Sequence, residues 1–392
     1  MPVRSLCYDL QLLRMPTPSL LIVPSRFKSG KLYSQIPTSG AGDFTVTRAT
    51  EATRINASGL IELVASGIPR LDYFASGGTV GCPALLIEPS AQNLALQSRD
   101  LSQAVWVKTN VTATKNAVGA DGSVSGATTL TATAASGTVL QAIINISQSR
   151  VFSAYVRRVS GTGAIQMTTN GGTNWTTVSI SSIYTQVACA AQTVLNGSVG
   201  FRMAVSGDVI EVDYTQGEVG PIATSAIPTT TGSVTRNAEV VLVTGAVSGS
   251  IGQTQGTIYA ELDVRNFTVN SRLISISDGT QNNRITTLFV ATNAIRMLST
   301  VTGATQASIT STTLSAGIIK LAIGYALNDY AFYINGVQVG TDTTALVPAC
   351  NAVILGSVDS LTGSGVFNDR IRAAALYTTR LTNDQLAALT TP

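Results

Sequence analysis

Histidine is absent from the 392 residues. Its absence removes Ser-His and Cys-His nucleophile pairs, imidazole proton shuttles and His-bearing zinc sites together. Charge is also scarce: Asp, Glu, Lys and Arg make up 11% of the chain, against ~25% in ordinary soluble domains. The 24 Lys and Arg outnumber the 21 Asp and Glu by only three, so there is no basic stripe to neutralise a run of phosphates, and nucleic acid is not an expected partner. Long apolar runs are missing too. The first candidate, Leu20 to Val23, is closed off by Pro18 and Pro24, far short of the ~20 residues of a spanning helix, so neither membrane insertion nor a secretion signal is expected. Cysteines are few and scattered. Cys7, Cys82, Cys189 and Cys350 form no short-spaced pair that suggests metal ligation or a redox motif, and we expect reduced thiols in a protein made in a reducing cytoplasm.

What the chain has is apolar β-forming sequence set in Ser, Thr, Asn and Gly. With 44% hydrophobic residues it is too apolar for disorder, and its length suits two or three domains. The six Asn-x-Ser/Thr sequons, at Asn56, Asn110, Asn145, Asn174, Asn196 and Asn266, are what such a composition yields by chance.

Four prolines interrupt the first 32 residues. Leu6, Leu10 and Leu13 allow a short amphipathic helix before Pro16, in either a frayed terminus or an arm that orders against a neighbouring protein. Short extended segments with turn signals follow, at Thr47-Arg48-Ala49-Thr50, Ala52-Thr53-Arg54, Gly59-Leu60-Ile61-Glu62, Pro69-Arg70-Leu71-Asp72-Tyr73 and Gly81 to Pro89, then Asn93-Leu94. From Asn93 to about Arg236 period-two strands such as Val151–Val156 and Asp208–Val212 alternate with Ser-Gly or Asn-Gly punctuation, the pattern of an antiparallel sandwich. Beyond Asn237 a further β module carries the Asn335-Gly336 hairpin signal between alternating apolar runs. It ends in a short predicted helix with Thr382 as N-cap, Gln385 at the capping-box position and Leu386 and Leu389 turned inward. The tripeptides Val46-Thr47-Arg48 and Val234-Thr235-Arg236 echo each other, each opening a new β segment after a Gly-containing turn.

Taken in order, the segments from about residue 44 to 106 resemble the lead-in of a large family of bacteriophage virion proteins, variously tail-fibre, head-fibre or carbohydrate-binding-domain proteins. The phrase Gln216 to Gly220, Ala223 to Thr229 and Val234 to Arg236 resembles the close of that family's jelly-roll module. The C-terminal stretch is similar to laminin-G/concanavalin-A-like lectin sandwiches. The resemblance implies an all-β chain of tandem antiparallel β-sandwiches with an irregular N-terminal arm: a virion-attachment region over 1–92, a carbohydrate-binding-like jelly roll over 93–236 and a lectin-like sandwich over 237–392. It implies a non-enzymatic head or tail fibre on the virion surface, synthesised in the host cytoplasm. Its expected partners are other virion proteins, through the N-terminal region, and host-surface glycans, and fibres of this type are commonly homo-oligomers, often trimers. The competing readings are a structural protein that decorates or cements the capsid and, further off, a polysaccharide depolymerase.

Sugar recognition needs an aromatic platform beside planar polar groups. The candidates are Trp175, Tyr184, Tyr330 and Tyr333, whereas Trp106 reads as core. Phe332 and Tyr333 alternate on one strand, so one of them must face inward. For catalysis, Glu261 and Asp263 project to one face of a strand, but Arg265 and Asn266 stand where a second catalytic carboxylate belongs. The economical alternative is an exposed edge with both acids paired to Arg265. No resident cofactor is expected. Calcium is the one metal the composition leaves open, at Asp278-Gly279 with Gln281-Asn282-Asn283, a stretch that is equally a plain β-turn.

Overall fold

A computed structural model of the chain describes residues 15–73, 82–245, 247–357 and 365–392. The helix expected before Pro16 lies outside the described residues. The chain is all-β, with sheets that are antiparallel throughout the described residues, as Val-, Ile- and Thr-rich runs with period-two burial dictate.

The larger sandwich joins two sheets. One runs in the order Val337–Asp342, Asp329–Ile334, Gly317–Ala326, Gln255–Val264, Asp369–Tyr377, Ala84–Ile87, Leu71–Asp72, with Leu20–Ile22 also on Asp369–Tyr377. The other runs from Phe27–Lys28 through Lys31–Leu32, Phe44–Thr47, Val240–Thr244, Ala352–Leu355, Arg272–Ser277, Arg284–Val290 and Ala294–Val301 to Ala304–Thr310. A single core spans both, with Leu20, Phe44, Leu85 and Ile87 packed among Ile258, Leu262, Phe289, Phe332 and Phe367. Residues 20–87, set apart by the sequence as an attachment region, therefore supply strands to both sheets of the C-terminal sandwich. The jelly roll is an insertion within it.

The insert has its own core around Trp106, Phe152, Phe201 and Val212. One of its sheets runs Val111–Ala117, Ala127–Ala132, Val209–Val219, Gln148–Ser160, Thr185–Ala188, and the other Val107–Thr109, Gly137–Ala142, Ser198–Met203, Ile165–Thr168, Thr176–Val178. Trp106 is fully buried and donates from Nε1 to the Leu96 carbonyl, as expected of a core residue.

The chain enters and leaves the insert through a neck in which Ala91–Asn93 pairs with Val234–Arg236. Beside the neck lies a buried ionic cluster. Glu88 Oε2 meets Arg70 at 2.7 Å and Arg236 at 2.8 Å, while Glu239 Oε1 meets Arg70 at 2.6 Å and Arg48 at 3.0 Å. The arginines of the two echoing tripeptides thus converge on one cluster. Burial alone would raise the Glu88 carboxyl, but Arg236, Arg70 and the Ser225 hydrogen bonds outweigh it and hold it well below the usual carboxylate range. The lead-in hairpin of Ala52–Ile55 and Ile61–Val64 clamps the insert from outside, where Thr53 donates to the Ala226 carbonyl and the Ile61 N–H to that of Ala120.

Two local expectations hold in detail. Asn335 and Gly336 have φ of 48° and 81°, the left-handed pair that a tight hairpin between Asp329–Ile334 and Val337–Asp342 requires. The helix Asn383–Thr390 starts at Thr382, whose side chain accepts from the Gln385 N–H while the Gln385 side chain accepts from the Thr382 N–H. Among the described residues no helix is long and apolar enough to cross a membrane.

The cysteines depart from expectation. Cys82 is disulfide-bonded, which corrects the reading of four reduced thiols. Cys189 and Cys350 are buried thiols outside any disulfide, and Cys7 lies outside the described residues. Sequence spacing does not reveal a bond between cysteines that only the folded chain brings together.

Candidate glycan-binding face

The four aromatic candidates lie in separate places. Tyr330 is 0% exposed, inside the sandwich core, and donates to the Leu346 carbonyl at 2.8 Å. Its hydroxyl is pushed up to about 12 chiefly by burial. Tyr333 faces the opposite side of the same strand, yet it is also buried, because the helix Asn383–Thr390 lays Leu386 and Leu389 over it, Tyr259 and Tyr377. Both are corrected to core residues. The alternation argument required one of Phe332 and Tyr333 to face inward, and had no means of seeing the helix that caps the other face.

Tyr184 is half-buried, just before the strand Thr185–Ala188 of the insert. Its hydroxyl donates to the Val118 carbonyl at 3.0 Å, and the Arg157 guanidinium covers one ring face at 4.7 Å. Burial, then Glu211, raises its hydroxyl well above the ordinary tyrosine range. The structure gives Tyr184 a packing role against the lead-in hairpin.

Trp175 is different. It follows the turn Asn170-Gly171-Gly172-Thr173-Asn174 at the edge of the five-stranded sheet, on its outer side. The turn is tied down locally: Thr168 Oγ1 donates to Asn170 Oδ1 and accepts from the Asn170 and Gly172 N–H groups, and Asn170 Oδ1 also accepts from the Asn174 N–H at 2.9 Å. Gly172, at φ 94°, lies against the indole so closely that a Cβ would sit 3.0 Å from it, so the turn chemistry sets where the ring lies. The half-buried indole stacks with the Arg202 guanidinium, whose Cζ is 4.7 Å from the ring centroid. Arg202 Nε donates to Gln166 Oε1 at 2.7 Å, and Gln166 Nε2 donates to Thr177 Oγ1 at 3.3 Å. Register places Thr177, Gln166, Arg202, Thr138 and Thr109 in one cross-strand row on this face. Alternation turns Phe201 and Met203 into the core and Arg202 outward. The result is an aromatic ring, a guanidinium, an amide and three hydroxyls on a flat surface.

Sequence reasoning singled out Trp175 and missed Arg202 and Gln166. The legible signal for Arg202 was its place between two apolar residues of a strand. Its pairing with a tryptophan 27 positions earlier (202 − 175) needed the register of two strands.

A cleft of about 200 Å³ opens where the two modules meet, lined by Val151, Gln186, Ala188, Cys189, Pro221–Ala223, Arg265 and Asn266. It has no aromatic platform and is smaller than the roughly 300–1,000 Å³ usual for ligand pockets. Burial pushes the Cys189 thiol up, away from its reactive form.

The acid pair expected at a groove or an exposed edge occupies neither. Gln255–Val264 is an interior strand of its sheet, and Glu261 and Asp263 are 7% and 5% exposed. Glu261 accepts from Arg372 at 2.6 Å, while Arg265 pairs with Asp369 at 3.0 Å. The calcium candidate forms a turn closed on itself: Asp278 Oδ1 accepts from the Thr280 N–H and hydroxyl, and Oδ2 from Asn283 Nδ2. Among the described residues no three Cys, Asp or Glu side chains gather as a metal site.

No protein-family model matches the chain, and no curated protein does. Several solved structures overlap part of it. The Ruminococcus gnavus IT-sialidase CBM40 is 17% identical over 37% of this chain and 87% of its own, with a TM-score of 0.32. Domain 4 of AbnA, a GH43 extracellular arabinanase from Geobacillus stearothermophilus in complex with arabinotriose, is 14% identical over 44% and 84%, at 0.32. The heptameric SAP-like pentraxin of Limulus polyphemus is 15% identical over 34% and 68%, at 0.27.

Proposed function

We propose that this protein is a non-enzymatic bacteriophage surface protein, a head or tail fibre, that adheres to host-surface glycans through the outer face of the insert's five-stranded sheet. The observation that carries the reading is the Trp175, Arg202 and Gln166 surface: an indole for the apolar side of a pyranose, with fixed planar donors and acceptors for its hydroxyls. The resemblance of residues 44–106 and 216–236 to phage virion proteins supports the setting. Weak single sites on many copies would add up through multivalency, and a homo-oligomer, such as a trimer, fits that use. The absence of histidine and the engagement of Glu261 by Arg372 favour binding without cleavage.

The test is a glycan array with host-cell adsorption, using the full chain and its Trp175→Ala and Arg202→Ala variants. Saturable binding that falls tenfold or more in both variants, with no sugar released, supports the adhesin. Unchanged binding in both removes this face from the reading.

One observation favours a second reading, capsid decoration. Ile144, Ile146 and Leu195 are 87%, 70% and 64% exposed and are brought together by hydrogen bonds between Asn145 and Asn196, an apolar tip suited to packing on a neighbour. Tight binding to empty capsids without adsorption to cells would select it.

A further inference from the structure

Five arginines among the described residues are less than 5% exposed, and four of them meet a carboxylate: Arg48 on Glu239, Arg70 on Glu88 and Glu239, Arg236 on Glu88, and Arg370 on Asp72. The fifth does not. Arg150 is 0% exposed, and its Nε, Nη1 and Nη2 all lack a hydrogen-bond partner. Among the described residues no carboxylate pairs with it, and burial pulls its titration down from the ordinary arginine value.

Its position explains how it is hidden. Arg150 stands near the start of the strand Gln148–Ser160, opposite Gln192 on one neighbour and Val219 on the other. Phe152, two residues on without a register shift between them, lies in the insert's core, so Arg150 continues the inward face toward the end of that sandwich. Val151, on the other face, lines the cleft between the modules. Val219 is 45% exposed and Gln192 half-buried, which puts Arg150 beneath the rim of the sandwich rather than at its centre.

A guanidinium carries five N–H donors and does not shed its proton inside proteins. Left alone out of water it is among the most costly groups a fold can hold. Water molecules satisfy donors but leave the charge uncompensated. A neutral side chain of similar length, such as Met, would fill the same space without that cost, so the buried charge calls for a counterpart that no described residue supplies. The three nitrogens are closed to bulk solvent, so a counterpart must be small enough to be enclosed as the chain folds, unlike a sugar acid or other extended ligand. We propose that Arg150 holds a small inorganic anion of chloride's size, enclosed at the rim end of the insert's sandwich, as a structural ion. This site is independent of the Trp175 face and stands or falls separately from the adhesin reading.

The test is thermal unfolding of the full chain in sodium chloride, sodium bromide and sodium gluconate at one ionic strength, with Arg150→Met alongside. An ion bound only by the folded state stabilises it by mass action. The midpoint is therefore expected to be higher in chloride and bromide than in gluconate and to climb with the logarithm of chloride concentration, and Arg150→Met is expected to remove both dependences. Crystals grown in bromide should show an anomalous peak within hydrogen-bond distance of the guanidinium. Equal midpoints of the unaltered chain in the three salts, a halide dependence retained by Arg150→Met, or no bromide at the guanidinium would each overturn the proposal. If Arg150→Met does not fold, the bromide map of the unaltered chain decides alone.

Discussion

Glu218 shows how a single residue can govern a response to pH. It is 1% exposed, and both its carboxylate oxygens accept from Thr224, one from the backbone N–H and the other from the hydroxyl. Burial outweighs these bonds and the Arg236 charge, so its titration is raised above the ordinary glutamate range. A carboxyl raised in the folded state binds more protons there than in the unfolded chain, so its contribution is complete below the unfolded value and is lost as pH rises through the folded one. Glu218→Gln keeps an acceptor for Thr224 and cannot ionise. Unfolding midpoints followed from pH 5 to 8 should therefore decline less steeply for Glu218→Gln than for the unaltered chain, and parallel slopes would refute this. Glu88 carries the opposite sign: its depressed titration gives stability that is present at neutral pH and lost in acid. Breaking its cluster with Arg70→Met leaves two buried carboxylates, Glu88 and Glu239, each short of one partner, a loss of about 3–5 kcal/mol or more by denaturant titration.

At the scale of elements, the C-terminal helix is the clearest case of a local signal with a tertiary purpose. Thr382→Ala removes the acceptor for the Gln385 N–H and should cost about 1 kcal/mol. Leu386→Ala, in a fully buried position above Tyr259 and Tyr333, should cost about 2–5 kcal/mol. Both are measurable by chemical denaturation, and a reversed order would mean that the helix does not cover the sheet. The turn before Trp175 makes a comparable prediction for function. Gly172→Ala puts a Cβ 3.0 Å from the indole at a φ of 94°, so it should displace the ring and weaken the proposed glycan binding, and the strained backbone should lower the unfolding midpoint as well. The capping box, the Asn335-Gly336 hairpin and the identity of the strands were legible in sequence because each is written in contiguous residues. The row of Gln166, Arg202 and Thr177 was not, because it is made by register between strands that lie far apart in the chain.

At the scale of the whole molecule, the sandwich is discontinuous in sequence. Residues 237–392 alone lack the strands Leu20–Ile22, Phe44–Thr47 and Ala84–Ile87, each of which pairs with a strand from that stretch. A fragment of residues 237–392 is therefore expected to expose open sheet edges and the core side of Ile258 and Leu262, and to aggregate or stay unfolded. A chain in which residues 92–233 are replaced by a short Gly-Ser linker keeps every strand of the sandwich and should fold. Circular dichroism and gel filtration of the two distinguish these outcomes. A soluble, cooperatively folded 237–392 fragment would show that the lead-in strands are dispensable.

The sequence by itself determined the all-β class, the short helix with its cap, the hairpin at Asn335-Gly336 and the burial of Trp106. All of these follow from periodicity, turn chemistry and side-chain type within a few neighbouring residues. Only the tertiary structure decided that the lead-in belongs to the C-terminal sandwich, that Arg48 and Arg236 meet in one buried cluster, that Tyr330 and Tyr333 are covered, that Cys82 is bonded and that Arg150 is buried without a partner. Each of these depends on strand order and register between distant segments, and antiparallel pairing, with its period of two, specifies which face a residue takes but not which strand it will find beside it.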